Sequence, residues 1–186
     1  MEEQEDKRIR RTKKLLRQAL TRLMQQKDIQ SITVTDVVRA ADINRGTFYA
    51  HYRDVYDLRE RIEQEMISDF RAMIEDIHPD EVNTSLRPVI SRAADYLEEN
   101  REVVTAFMRT SGPDGFGRKL IEVVEECRME ASPCKSEKDR YVARFVASGM
   151  VGMLEKWITA DAPMTKDEMV VLIIHVLETL LYAEVI

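Results

Sequence analysis

With Phe48 and Tyr52 turned inward, the segment around residues 44 to 52 leaves Arg45, Thr47, Tyr49 and His51 facing outward. A guanidinium, a hydroxyl, a phenol and an imidazole are the donors and acceptors that base edges and phosphate oxygens take up. Other constellations offer less chemistry. Gly112, Gly115 and Gly117 with Pro113 superficially suggest a phosphate loop, but the run follows a helix and lacks the Gly-Lys-Ser/Thr ending. His175 and Glu178 are three apart, like half of a di-metal bundle site, and no second such pair exists. Glu122, Glu125 and Glu126 have no acid partner, and no His is placed with Ser, Cys or Asp for nucleophilic attack. Cys127 and Cys134, seven apart, fit neither a metal, a redox nor a disulfide framework. The expectation is therefore no catalytic residue, no metal and no cofactor.

The elements that must hold the outward set are written in the flanking residues. Thr33 with Asp36 is the pattern in which a hydroxyl and a carboxylate cap the first free N–H groups of a helix, so a helix starts near Thr33. Val34, Val37, Val38 and Ala41 follow at i, i+3, i+4 and i+7, an inward face about two turns long. Asp42 stands where the chain must turn, and Asp tolerates left-handed backbone better than most residues. Asn44 then caps a second short helix running through Arg45, Gly46, Thr47, Phe48 and Tyr49. Two short helices joined by a tight turn and followed by a long third one form a helix-turn-helix.

The run from Thr33 to Leu58 resembles the N-terminal signature of the TetR family of bacterial transcriptional regulators, with Ala41, Ile43, Gly46, Thr47, Phe48, Tyr49, His51, Tyr52 and Leu58 on its positions. Asp42 replaces the usual turn Gly. Val55 replaces the Lys that in this family commonly contacts phosphate from the start of the fourth helix. The likeness covers about 26 of 186 residues, and about 50 with the preceding helix; beyond residue 77 it is one of length and helicity. It implies DNA as partner, a dimer through the last two helices, and a small molecule bound among helices four to eight that shifts the long fourth helix and spreads the two heads.

Charge divides the chain independently of that likeness. From Lys7 to Arg53 there are 12 Lys and Arg against 3 acidic residues, a net of +9, whereas from Asp54 onward 16 basic residues face 27 acidic ones, a net of −11. The overall −6 thus hides a basic head on an acidic body. Such a head gains affinity from phosphate neutralisation and counterion release, while the body repels DNA and leaves one direction of approach. The expected DNA contacts are Arg10, Arg11, Lys14, Thr33, Thr35, Asn44, Arg45, Gly46, Thr47, Tyr49, His51 and Tyr52. Within them Arg45 and Thr47 meet base edges, and Thr35, Tyr49, His51 and the Arg10, Arg11, Lys14 group position phosphates.

Composition bounds the remainder. With 44% hydrophobic and 33% charged residues the chain buries a real core, and strand signals are nearly absent, so the fold class is all-α with about nine helices. The expected helices are 7–26, two in the helix-turn-helix, 54–76, 84–99, 101–110, 115–131, 136–160 and 166–183, with His78-Pro79-Asp80 and Ser132-Pro133 as breaks. Two domains follow: 1–53, a DNA-binding domain, and 54–186, a helical regulatory and dimerisation domain, with helix 54–76 connecting them. No apolar stretch follows the start MEEQEDKRIRR, and the longest uncharged run, residues 145–154, is about half the ~18 that a membrane span needs. A cytoplasmic protein with no membrane partner is expected.

The last two helices suggest a partner. Residues 169 to 181 are apolar nearly all round, which demands burial on more than one side, and the preceding helix carries an apolar stripe opened by Gly149 and Gly152. A two-fold homodimer through a four-helix bundle is expected, with Phe145, Gly149, Gly152, Leu172, Val176 and Leu180 at the interface. A small apolar or amphipathic effector is expected among Phe70, Met73, Tyr96, Phe107, Met108, Phe116, Met153 and Trp157, in a chain whose ten methionines suit an adaptable pocket. The leading reading is a homodimeric, ligand-responsive repressor on a near-palindromic operator. The alternatives are a helical interaction module with a basic head, and a helical enzyme using a central apolar cavity.

Overall fold

The computed structural model describes residues 2–75, 87–110, 115–131, 136–161 and 164–182, with side chains over 7–75, 87–109, 115–130, 136–161 and 164–179. Among these residues the regular structure is entirely helical: α1 Glu2–Met24, α2 Val34–Ala41, α3 Arg45–Tyr49, α4 Val55–Glu75, α5 Arg87–Glu99, α6 Arg101–Thr110, α7 Phe116–Ala131, α8 Glu137–Ile158 and α9 Lys166–Tyr182. A 3-10 turn at Ile29–Ser31, for which the sequence carries no strong signal, joins α1 to α2. The two proline breaks expected at 78–80 and 132–133 lie outside the described residues. Helix α1 begins at Glu2 rather than Lys7.

The chain divides into two compact units, Met1–Glu65 and Met66–Ile186, and the division falls inside α4. In the first, Leu16 and Leu20 of α1, Val37 of α2, Phe48 of α3 and Leu58 of α4 are wholly buried, joined by Val38, Ala41, Tyr52, Val55 and Ile62. These are the apolar positions of four amphipathic helices, and a fully buried Phe or Leu contributes roughly 1.5–3 kcal/mol. Thr21, the one buried hydroxyl of α1, is satisfied by donating to the Arg17 carbonyl at 2.9 Å.

In the second unit α7 lies along α8, while α9 packs on α5 and α8 and α6 packs on α8. Ile90, Leu97, Phe107, Phe116, Ile158 and Ile173 fill its core. The C-terminus of α8 is fastened from α6: Arg101 and Thr105 donate to the Ile158 carbonyl at 3.0 and 3.3 Å, and Arg109 donates to that of Thr159 at 3.2 Å. Two guanidiniums therefore meet the negative end of the α8 dipole. Arg101 also lies over the Trp157 ring, 5.5 Å from its centroid, and the indole N–H donates to the Met164 carbonyl at 2.7 Å. No described helix is long and apolar enough to cross a membrane.

Candidate nucleic-acid interface

The helix pair α2–α3 is built from two side-chain caps and one left-handed turn. At the start of α2 the Thr33 hydroxyl accepts the Asp36 N–H at 3.2 Å, and Asp36 Oδ2 accepts the Thr33 N–H at 2.9 Å. Lys27 reaches the same carboxylate oxygen at 2.9 Å, a contact between residues nine apart that no local pattern announces. Lys27, and then the two Thr33 bonds, hold the Asp36 carboxyl well below the usual carboxylate range. Asp42 ends α2 at φ 52°, ψ 48°, and its N–H returns to the Arg39 and Val38 carbonyls. It is the sole positive-φ residue among those described, at the turn where Gly is usual.

Asn44 opens α3, its Oδ1 accepting the Thr47 N–H at 2.7 Å and the Thr47 hydroxyl at 2.9 Å. Gly46 sits beneath this cap: a Cβ there would stand 3.3 Å from Asn44 Oδ1, tighter than most real contacts. Phe48 plugs α3 into the core, with its ring edge-on to Tyr49 at 5.6 Å and tilted on Tyr52 at 5.9 Å. Turning Phe48 inward brings out its neighbours: Arg45 and Gly46 are exposed, Tyr49 is 56% exposed, and Thr47 is half-buried. Arg45 Nη2 donates to the Thr35 hydroxyl, joining the first residue of α3 to the second of α2.

The other expected contacts divide by burial. Arg10, Arg11 and Lys14 are exposed on α1, Thr33 and Asn44 are exposed, and Thr35 and His51 are half-buried. Tyr52 is only 5% exposed, and its ring packs on Phe48 and His51, so its body belongs to the core. Val55, standing where a phosphate-binding Lys is usual, is 4% exposed and packs inward at the start of α4. That start is capped by Asp54, which accepts the Asp57 N–H at 2.8 Å, while Asp57 accepts the Arg53 N–H at 2.9 Å. The Arg53 N–H first, with Arg53 and Arg61 beside it, lowers the Asp57 pKa.

In the second unit the expected pocket residues separate into pairs. Phe70 stacks edge-on with Tyr96 at 6.1 Å, and Phe107 with Phe116 at 6.2 Å. Phe70, Phe107, Met108, Phe116 and Trp157 are buried, whereas Met73, Tyr96 and Met153 are half-buried. A cavity of about 650 Å³ opens between α7 and α8, and of the expected set only Met108 lines it. Its other walls are Gly115, Gly117, Arg118 and Ile121 on one side and Arg144, Ser148, Val151, Gly152 and Glu155 on the other. Arg118 pairs with Glu122 at 3.1 Å and Arg144 with Glu125 at 3.0 Å, so charge enters where the sequence suggested an apolar lining.

Of the expected interface residues, Phe145 is 62% and Leu172 37% exposed, Gly149 and Gly152 are exposed, and Val176 is half-buried; the Leu180 side chain lies outside the described residues. Tyr141, Val142 and Val171 extend this apolar surface at 72%, 40% and 50% exposure. Cys127 is half-buried and burial pushes its thiol up, which disfavours the reactive thiolate; Cys134 lies outside the described residues. Among the described residues no His, Cys, Asp and Glu grouping suits a metal ion.

Comparison with known proteins places this architecture. Residues 16–62 match the bacterial regulatory proteins of the tetR family, and residues 84–179 match a transcriptional regulator C-terminal region of the same family. The HTH-type transcriptional regulator YxbF of Bacillus subtilis (strain 168) is 38% identical over 157 residues, 79% of this chain; the chain spans 40% of that relative's length. A TetR transcriptional regulator from Streptococcus agalactiae 2603V superposes with a TM-score of 0.64 at 20% identity, covering 95% of this chain and 98% of the other. The fatty acid degradation regulator FadR from Bacillus halodurans superposes with 0.64 at 15%, covering 89% and 94%. These two solved structures share the fold, an N-terminal helix-turn-helix unit followed by a helical one. The two matched segments together take in both units, and the chain belongs to the TetR family of bacterial transcriptional regulators, a family of regulators rather than enzymes.

Proposed function

We propose that the protein is a homodimeric, ligand-responsive repressor that binds a near-palindromic operator on double-stranded DNA through residues 44–50. The observation that carries this reading is the outward face of α3: Arg45, Thr47 and Tyr49 stand on a five-residue helix whose start is fixed by Asn44 and whose underside is fixed by Phe48. Donors held by a rigid frame, in a segment of net charge +9, suit the major groove better than an acidic protein surface. Arg45 and Thr47 are assigned to base edges; Tyr49, His51, Arg10, Arg11 and Lys14 are assigned to phosphates.

The exposed stripe Tyr141, Val142, Phe145, Gly149, Gly152 on α8, with Val171 and Leu172 on α9, supports dimerisation, since soluble chains seldom leave so much contiguous apolar surface to water. Half-sites one helical turn apart or slightly more, about 34 Å, follow for a two-fold helix-turn-helix dimer. The cavity between α7 and α8, with Met108, Ile121 and Val151 beside Arg118, Arg144 and Glu155, suits an amphipathic effector. Such a molecule regulates only if it prefers one of two dimer geometries.

Selection from a pool of random duplexes tests the reading: the recovered site has two-fold symmetry. Arg45→Ala then lowers affinity and relaxes choice at one base position, whereas Lys14→Ala weakens all sequences alike and reduces the salt slope by about 1. Identical behaviour of the two variants overturns the assignment of roles.

A further inference from the structure

We propose that Thr35 is a positioning residue for Arg45, setting the guanidinium for base reading rather than holding a phosphate itself. The inference rests on the DNA-reading role of α3 and adds a second residue to its specificity. Arg45 Nη2 donates to Thr35 Oγ1, and both ends of this bond are anchored. Thr35 belongs to the first turn of α2, locked by the Thr33–Asp36 cap and by Lys27 at 2.9 Å from Asp36; Arg45 opens α3, locked by Asn44. A long exposed side chain that otherwise samples many rotamers is thereby restricted before DNA arrives.

The chemistry of the tether leaves reading capacity intact. Nη2 carries two hydrogens, one on the edge shared with Nη1 and one on the edge shared with Nε. Whichever of them Thr35 accepts, the opposite edge keeps a parallel pair of N–H donors. Such a pair matches adjacent acceptors such as the O6 and N7 atoms of guanine in the major groove. The Thr35 oxygen accepts from the guanidinium on a half-buried side chain, which holds the orientation of Arg45.

The experiment measures binding of the full chain to its selected duplex and to every single-base variant of it, over a salt series, for wild type, Thr35→Val, Thr35→Ser, Arg45→Ala and the Thr35→Val/Arg45→Ala pair. Thr35→Val keeps the side-chain shape and removes the hydroxyl. It is expected to lower discrimination about threefold to tenfold at the one base pair that Arg45→Ala relaxes, with the salt slope unchanged. Thr35→Ser retains discrimination, and the double variant is no less selective at that position than Arg45→Ala alone. Circular dichroism of each variant confirms the folded state, and Thr35→Ala, which also removes the hydroxyl, supplies the readout if Thr35→Val unfolds. Uniform weakening by Thr35→Val with a flatter salt slope, or unchanged discrimination at the Arg45 position, overturns the positioning role while DNA reading stands. A wild-type chain that selects no sequence overturns both.

Discussion

Gly149 and Gly152 make opposite predictions for one chain and for two. In the isolated protomer a Cβ built on either glycine meets no described atom within 4 Å, and both lie inside α8, so alanine there is free of clash. Replacing a helix-interior Gly by Ala favours the helix by about 0.8–1 kcal/mol. For a chain of this length that raises Tm by roughly 2–4 °C at high dilution. In a dimer whose α8 helices approach over these glycines, each substitution enters the seam twice by symmetry. Two methyl groups forced into a packed seam cost about 2–6 kcal/mol, which weakens self-association by a factor of roughly thirty or more. Sedimentation equilibrium over a concentration series on wild type, Gly149→Ala and Gly152→Ala separates the cases, with thermal unfolding of dilute samples as the internal control. The expected result is weaker association together with a more stable protomer. Undiminished dimers with a raised Tm would refute the placement of these glycines at a subunit seam.

Three further outcomes follow from the geometry. Asp42→Gly relieves a left-handed backbone at φ 52° and should stabilise the first unit by about 0.5–1 kcal/mol, whereas Asp42→Val should destabilise it, as read by chemical denaturation. The carboxyl of Asp36 titrates lower in the folded chain than in the unfolded one, so its contribution is present above about pH 4 and is lost as pH falls below that. Asp36→Asn should accordingly be less stable than wild type at neutral pH, with the gap closing on acidification; a gap independent of pH would remove the Lys27 and Thr33 bonds as its cause. Arg101→Ala strips one donor from the Ile158 carbonyl and the cation from the face of the chain's single Trp. A loss of about 1–3 kcal/mol with altered Trp157 fluorescence is expected, and unchanged emission and stability would rule out the fastening of α8 to α6.

How far the sequence carries depends on how far each interaction reaches along the chain. The Thr33–Asp36 cap, the Asn44 cap and the left-handed Asp42 all join residues within four positions of one another, and each stands in the structure as its residue types require. Helix boundaries were nearly as legible: α6 runs over Arg101–Thr110 and α8 follows Ser136, whose side chain caps it. Burial of Val55 was less so, because a branched aliphatic at a helix junction faces in or out according to what packs across from it, whereas Tyr52 turns inward with Phe48 as their shared face requires.

The cavity shows the limit most plainly. Aromatic and methionine residues were the reasonable lining for an apolar pocket, yet Phe70 with Tyr96 and Phe107 with Phe116 found one another, leaving Met108 among charged and small neighbours from α7 and α8. Large apolar rings gain most by touching each other, so the space left open falls to residues that pack less well.

From the chain of letters alone came the helical class, the two short helices with their caps, the basic head and the apolar terminal helices, because each is set by periodicity, charge or neighbours a few residues away. The tertiary structure alone decided that Arg45 meets Thr35, that Lys27 closes on Asp36, and which arginines border the cavity. Those pairings join residues that only the packing of one helix against another brings within hydrogen-bond reach.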